Sequence, residues 1–323
     1  MKTENIFKLS AAKLKKALYH ELLDNGYTKC NNNAKFLYAE GDAPYMLIAH
    51  LDTVHKTPPS IICYSKNCDY MMSPQGIGGD DRCGVYIILQ LLKKLEFRPH
   101  IVFTMDEEIG GIGADAFADY IIKHPIPELK YIVEYDRKGN KDCVFYSCAN
   151  DEFVKFVEKF GFKEAYGTFS DISVIAPALG VAAVNLSSGY YNPHTQYEYV
   201  SFNDMEKIIK ASVKMFNAES DKFEYVARYT YLPTSYKSDY FTYKDKTVCF
   251  LPKGTIYVYS PYIKGYVANK EYEIAFDENL TFYKYSEYYD DLSTISKDHM
   301  YFADPSFVPQ YIEEEAITIP LIY

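Results

Sequence analysis

His50, Asp80, the Glu107/Glu108 pair, Asp136 and His194 are imidazoles and carboxylates, the donors that hold divalent cations and carry protons. They read as side chains placed just past short apolar, strand-like runs. YMLIAH leads into LDTVH, HIVFTM into DEEIGG and YIVEY into Asp136, with VAAVNL a few residues ahead of NPHTQYE. In open α/β sheets the carboxyl ends of strands are where ligands collect, so distant side chains placed there can converge. The chemistry open to such a set is hydrolysis assisted by two metal ions.

Each motif taken alone has a plainer reading. A histidine ending a strand is commonly structural, yet residues i and i+2 of an extended segment share a face, so Asp52 can hold the His50 imidazole in one orientation. GIGGDDRCG is also what a helix N-terminus with acidic first-turn residues looks like; the functional reading makes Asp80 a bridge between two metals, braced by Asp81 and Arg82. Asp106-Glu107-Glu108 could be a solvated acidic run. It follows an apolar strand and precedes Gly110-Gly111, so it enters a tight loop where adjacent carboxylates face apart, one free to bind metal and the other to move protons. Convergence without metal would bring Asp52, Asp80, Glu107, Glu108 and Asp136 together, and each pair at about 4 Å repels by roughly 4 kcal/mol at an effective dielectric near 20. Two divalent cations more than neutralise three ligand carboxylates.

These motifs must be positioned by a mainly α/β chain. Apolar residues at helical spacing from Ser10 to Asp24 predict an opening helix, with Ser10 as N-cap and Gly26 ending it. KFLYAE, YMLIAH, SIICYS, DYMMS, HIVFTM, YIVEY and CVFYSC predict strands. VYIILQLLKKL, ADAFADYIIKH, DEFVKFVEKF and SFNDMEKIIKASVKMFNAE predict helices, the last capped by Ser201 or Asn203. This alternation predicts a mixed, mostly parallel sheet with helices on both faces, ending near residue 218. From about 219 the chain becomes dense in tyrosine, with alternating runs such as TIYVYS, EYEIAF and TFYKYSEYY, which predicts a small all-β C-terminal domain over 219–323.

The 323 residues carry a formal net charge of −10, with a sequence pI near 5.3, which argues against nucleic acid or an anionic membrane as partner. The N-terminus is charged rather than apolar, and ISVIAPALGVAAVNL is too short to span a bilayer and contains Pro177 and Gly180. A cytoplasmic location is expected. Seven cysteines without a signal segment suggest reduced thiols. The Cys63/Cys68 and Cys143/Cys148 pairs lack the tight spacing of a zinc knuckle and are expected to be buried thiols.

The order HLDTVH, GGDDRCG, DEEIGG, EYDR, NPHTQYE resembles the co-catalytic zinc exopeptidases, which include peptidase T, aminopeptidases and carboxypeptidase- or deacylase-like relatives. The resemblance covers roughly residues 1 to 218. It implies that Asp80 bridges two zinc ions (cobalt or manganese as substitutes), the first also held by His50 and Asp136 and the second by Glu108 and His194. It further implies that Asp52 orients His50, that Glu107 is the general base and later the acid, and that the Asp80-Asp81 peptide is cis. The substrate implied is a short peptide or an acylated amino acid. Aspartate at position 136 leans toward an aminopeptidase or small-peptide exopeptidase, with an N-acyl amino acid deacylase or carboxypeptidase as the alternative. Neither the His50–Asp80 nor the Asp136–His194 interval has room for an inserted lid domain, so an oxyanion donor must come from elsewhere, with Tyr190 or Tyr191 as candidates. Arg137, Ser170 and Asp171 are candidates for contacting substrate termini. A reading of another class makes the core a degraded scaffold and the tyrosine-rich C-terminal part a binding domain.

Overall fold

The computed structural model describes residues 1–146, 148–165, 167 and 169–226, together with the C-terminal strands 240–243, 246–250, 256–260, 265–268, 274–277, 282–286, 291–294 and 300–302. The chain falls into two compact units, Met1–Arg228 and Tyr229–Tyr323. Helices α1 (Thr3–Lys8) and α2 (Ala11–Asp24) open the first, followed by β1 (Cys30–Asn32), β2 (Phe36–Ala39), β3 (Tyr45–His50), β4 (Cys63–Tyr64) and β5 (Tyr70–Met72). Next come α3 (Gly79–Lys94), β6 (His100–Thr104), α4 (Ile112–Lys123), β7 (Tyr131–Arg137), β8 (Asp142–Val144), α5 (Asp151–Glu158) and β9 (Lys163–Glu164). The unit closes with α6 (Ile172–Leu179), β10 (Ala183–Ser187), β11 (Tyr190–Tyr191), β12 (Tyr199–Ser201) and α7 (Phe202–Phe216).

One 8-stranded sheet runs β1-β2-β6-β3-β7-β10-β8-β9. Its centre is parallel, with β3 between β6 and β7, and β10 beyond β7. Antiparallel β2 and β8 flank that centre. Strands β3, β6 and β10 are buried along their whole length, which is why they read as mainly apolar runs; their polar residues His50, His100, Thr104, Asn185 and Ser187 are buried and hydrogen-bonded. The period of two divides each strand between two cores. Leu47, Ala49, Ile101, Phe103 and Val133 pack with Leu14 and Leu18 of α2, Ile88 of α3 and Ile208 of α7; Met46, Ile48, Val102 and Ile132 pack with Phe117 of α4 and Ile175 of α6. Each such side chain contributes about 1.5–3 kcal/mol by leaving water.

A second, antiparallel sheet, β11-β12-β5-β4, is made of strands two or three residues long. One of its faces is open, and this overturns the expectation for one cysteine pair: Cys143 and Cys148 are buried, whereas Cys63 and Cys68 are exposed. Cys30, Cys63, Cys68, Cys83, Cys143 and Cys148 are all free thiols. Helix α6 is a further departure from the sequence reading, since it accommodates Pro177 near its end and stops at Gly180. Ser201 caps α7 by accepting from the Asp204 N–H at 3.3 Å, whereas the Ser10 side chain makes no capping bond on α2.

The first unit runs past residue 218, where composition changes. Phe223 joins the core, and its main chain bonds both Lys130 and Ala182. The second unit contains β13 (Tyr240–Tyr243), β14 (Lys246–Phe250), β15 (Ile256–Ser260), β16 (Gly265–Ala268), β17 (Ile274–Asp277), β18 (Phe282–Ser286), β19 (Asp291–Thr294) and β20 (Met300–Phe302). They pair antiparallel in two small sheets, β13-β14-β17-β18-β19 and β16-β15-β20. Among the described residues no helix is long and apolar enough to cross a membrane.

Candidate active site

Three adjacent parallel strands set the site. The register aligns His50 at the end of β3 with Thr104 at the end of β6, so the Glu107/Glu108 loop leaves the sheet beside the imidazole. Asp136 arrives at the end of β7, on the other side of β3. Asp80 comes from the start of α3, and His194 from the loop between β11 and β12.

The two oxygens of Asp80 face two histidines. Oδ1 lies 3.1 Å from His50 Nε2 and Oδ2 lies 3.2 Å from His194 Nε2. On the His50 side, Asp136 Oδ1 is 3.6 Å and Glu107 Oε2 3.9 Å from the same nitrogen. On the other side, Glu108 Oε2 is 3.2 Å from His194 Nε2. Ligating atoms of His50, Asp80 and Glu108 lie within 4.8 Å of one another. All six side chains singled out in the motifs, His50, Asp80, Glu107, Glu108, Asp136 and His194, thus meet around one carboxylate.

Local backbone makes this possible. Asp80 (φ −79°, ψ 105°) and Asp81 (φ −115°, ψ 44°) depart from helical geometry inside α3, and the peptide between them is cis. Asp80 is therefore not an ordinary first-turn acid. Asp106 takes a positive φ of 64°, which turns its own carboxylate outward to Lys35 Nζ at 2.9 Å while Glu107 and Glu108 enter the site. Asp52 fixes that turn, accepting from the backbone N–H groups of Glu107 and Glu108 at 3.2 and 3.1 Å. Its Oδ1 is also 3.5 Å from His50 Nδ1, at the outer edge of hydrogen bonding.

The electrostatics are those of too many acids in one place. Burial pushes Glu107 up to about 8, opposed by His50 and reinforced by Asp136, Glu108 and Asp80. Burial and the neighbouring Asp80 raise Asp136 to about 7, and the same two causes raise Glu108. Burial also works against ionised Asp80, but hydrogen bonds from His194 and His50 hold its carboxyl far below the usual range. His194 is raised to about 9, chiefly by Asp80. Buried Glu108 Oε1 has no hydrogen-bond partner. An imidazole nitrogen ringed by carboxylate oxygens, and a spare buried carboxylate oxygen beside a second imidazole, fit divalent cations, which supply the positive charge the protein lacks.

Several residues are placed otherwise than the sequence suggests. Asp81 is buried and accepts from Gly84 N at 2.9 Å, capping the regular part of α3, while the Arg82 guanidinium donates to the carbonyls of Ile6 and Leu9 and so ties down α1 rather than bracing Asp80. Tyr191 donates to Asp204 at 2.7 Å and is directed at α7. Tyr190 is buried, with its hydroxyl 3.4 Å from Asp136 Oδ1. Ser170 donates to Glu134 and Asp171 accepts from Thr104; both are buried beneath the strand ends, out of reach of a substrate terminus. Two further contributors escaped the motif reading. Asn185 holds the Asp136 peptide from both sides, accepting from its N–H at 2.8 Å and donating to its carbonyl at 2.9 Å. Glu198 accepts from the N–H groups of Gly78 and Asp80, each at 2.9 Å; its one visible signal is a carboxylate closing NPHTQYE.

No protein-family model and no curated protein matches the sequence. Solved structures do match in fold. The aminopeptidase PepT from Bacillus cereus aligns over 66% of this chain and 96% of its own length, with a TM-score of 0.51 at 14% identity. A tripeptidase from Staphylococcus aureus aligns over 66% and 95%, with a TM-score of 0.53 at 12% identity. A TET aminopeptidase from a marine-sediment thaumarchaeote aligns over 66% and 94%, with a TM-score of 0.52 at 12% identity. The aligned part of this chain thus shares the α/β fold of these three structures.

Proposed function

We propose that this chain is a metal-dependent exopeptidase that removes N-terminal residues from short peptides. The observation that carries the reading is the two-sided environment of Asp80, one oxygen toward His50 and Asp136 and the other toward His194 and Glu108. In this reading His50, Asp80 and Asp136 hold one cation, and Asp80, Glu108 and His194 hold the second. Zinc suits the mixed imidazole and carboxylate donors, and cobalt or manganese would substitute. Two bound cations supply Lewis acidity, acidifying water and polarising an amide carbonyl.

The chain's own groups handle the protons. Glu107 stands beside His50 without hydrogen-bonding to it, and its raised pKa suits a carboxylate that accepts a proton and then returns it. It takes one proton from water as the oxygen bonds to the amide carbon. When the C–N bond breaks it gives that proton to the departing amine, so no covalent enzyme intermediate is needed. Asp52 keeps the base in place through the Glu107 and Glu108 amides. The likeness to an aminopeptidase and a tripeptidase, and aspartate rather than glutamate at position 136, favour a free N-terminus on the substrate.

A peptide-library cleavage profile with and without added zinc, cobalt or manganese tests this. Metal-dependent loss of N-terminal residues from free-amine peptides, and none from N-acetylated ones, is the expected result. Cleavage confined to acylated substrates or to C-termini, or no metal-dependent cleavage, would overturn it.

A further inference from the structure

Glu198 is a buried carboxylate whose partners are nearly all main-chain atoms of the Asp80 turn. Glu198 is 1% exposed. Its Oε1 accepts from Asp80 N and its Oε2 from Gly78 N, both at 2.9 Å, and the imidazole Nε2 of His55 completes the set at 3.3 Å. Glu198 thus binds the main chain immediately before and at Asp80, whose side chain is the centre of the site.

Two glycines make room for this arrangement. A Cβ on Gly79 would lie 3.2 Å from Glu198 Oε1 and 2.8 Å from Tyr190 Cβ. A Cβ on Gly76 would lie 2.2 to 2.5 Å from the His55 ring. The loops that follow β3 and β11 therefore supply a histidine and a glutamate that fit against the bare backbone of Gly76-Ile77-Gly78-Gly79. The same β11–β12 loop also delivers His194, whose Nε2 faces Asp80 Oδ2 at 3.2 Å.

A buried carboxylate is costly unless it is fully hydrogen-bonded. Here it lies close to Asp80, which adds repulsion. Two backbone donors arranged for a bidentate acceptor repay that cost only in this one conformation of the turn. A glutamine would present an amide NH2 to one of those N–H groups, donor against donor, and an aspartate is a methylene too short to span both.

We infer that Glu198 is a positioning residue that, seated against His55, clamps the backbone of residues 78 to 80 so that the two Asp80 oxygens are held toward His50 and His194. It touches neither substrate nor reacting atoms. The inference rests on the two-cation reading above. Residues that orient metal ligands from behind typically change metal affinity by about 10–100-fold when replaced, and that is the effect expected of Glu198→Gln.

The test is a zinc titration of the full-length, metal-free protein against a chromophoric chelator, for wild type, Glu198→Gln, Glu198→Asp and, as a remote control, Glu206→Gln. Near-ultraviolet circular dichroism and the metal-free melting temperature establish that each variant is folded. The expected result is zinc binding about 10–100-fold weaker in folded Glu198→Gln, with kcat reduced and KM little changed, and wild-type affinity in Glu206→Gln. If Glu198→Gln does not fold, Glu198→Asp carries the test with the same expectation. Zinc affinity within twofold of wild type in a folded Glu198 variant overturns the inference, as does an equal loss in Glu206→Gln. If wild type itself binds no zinc, the two-cation reading fails and this inference falls with it. If wild type binds two zincs and cleaves peptides while the Glu198 variants bind equally well, only the clamp is refuted.

Discussion

Replacing Glu107 with glutamine should make the metal-free protein more stable at mildly alkaline pH while removing hydrolysis. Burial raises the Glu107 carboxyl from 4.5 to about 8 in the fold. Below about pH 4.5 it is neutral in both the folded and unfolded chain. As pH rises toward 8 the unfolded chain ionises while the fold keeps its proton, so stability is lost; above about 8 the loss stays constant. At 1.36 kcal/mol per pKa unit the ceiling on that loss is about 5 kcal/mol. Burial of the charge is the chief cause of that shift, and because Asp136, Glu108 and Asp80 titrate together with Glu107 the recoverable part lies below the ceiling. For a unit of this size each kcal/mol moves the melting temperature by about 2–4 °C. Thermal melts of chelator-treated wild type and Glu107→Gln, run in parallel from pH 5 to 9, should therefore show the variant melting higher at pH 8.5, by at most about 10–20 °C, and little different at pH 5. Equal melting temperatures at both pH values would refute the electrostatic argument, and peptide turnover by metal-loaded Glu107→Gln would refute its assignment as the base.

Zinc itself should stabilise the wild type. A ligand present at about 100 times its Kd contributes about 2.7 kcal/mol, so differential scanning fluorimetry should register a rise of several degrees that Asp80→Asn abolishes; a zinc shift surviving in Asp80→Asn would show that the ion binds elsewhere. Asn185→Ala should leave the part-buried Asp136 main chain without its donor and acceptor, at up to about 1–3 kcal/mol for each unsatisfied group. Urea denaturation would check it, with a change below about 0.5 kcal/mol, the ordinary range of surface substitutions, counting against the role.

How much of this was legible in the sequence depended on what each residue does. Strands β3, β6 and β10 stood out because burial on both faces leaves mostly apolar residues. The residues of α6 stood out as apolar too, but not as a helix: Pro177 and the absence of a polar stripe hide its period, since Ile172, Ile175 and Ala176 are buried. Strands β4 and β5 lie inside the predicted SIICYS and DYMMS runs, whereas β11 and β12 are too short to show any alternation. In the site, the residues that present side chains to a common point announced themselves by type and by place after a strand. Asn185 and Glu198 did not, because what they recognise is peptide N–H and C=O, which every residue has.

That difference explains the shape of the site. Gathering Asp52, Asp80, Glu107, Glu108 and Asp136 within a few ångströms stores repulsion that the metal-free fold relieves by holding protons on Glu107, Asp136 and the two histidines, and that divalent cations would relieve in their place. Groups bonded to backbone oppose what repulsion remains: Asp52 on the Glu107–Glu108 loop, Asn185 on the Asp136 peptide and Glu198 on the Asp80 turn. Each acts on main chain because main chain is neutral, so fixing it holds the carboxylate without neutralising it. The negative potential stays available for a metal ion. A lysine or arginine in any of these places would also have steadied its neighbour, but as an internal counter-ion it would have filled the electrostatic vacancy that gives a divalent cation its affinity.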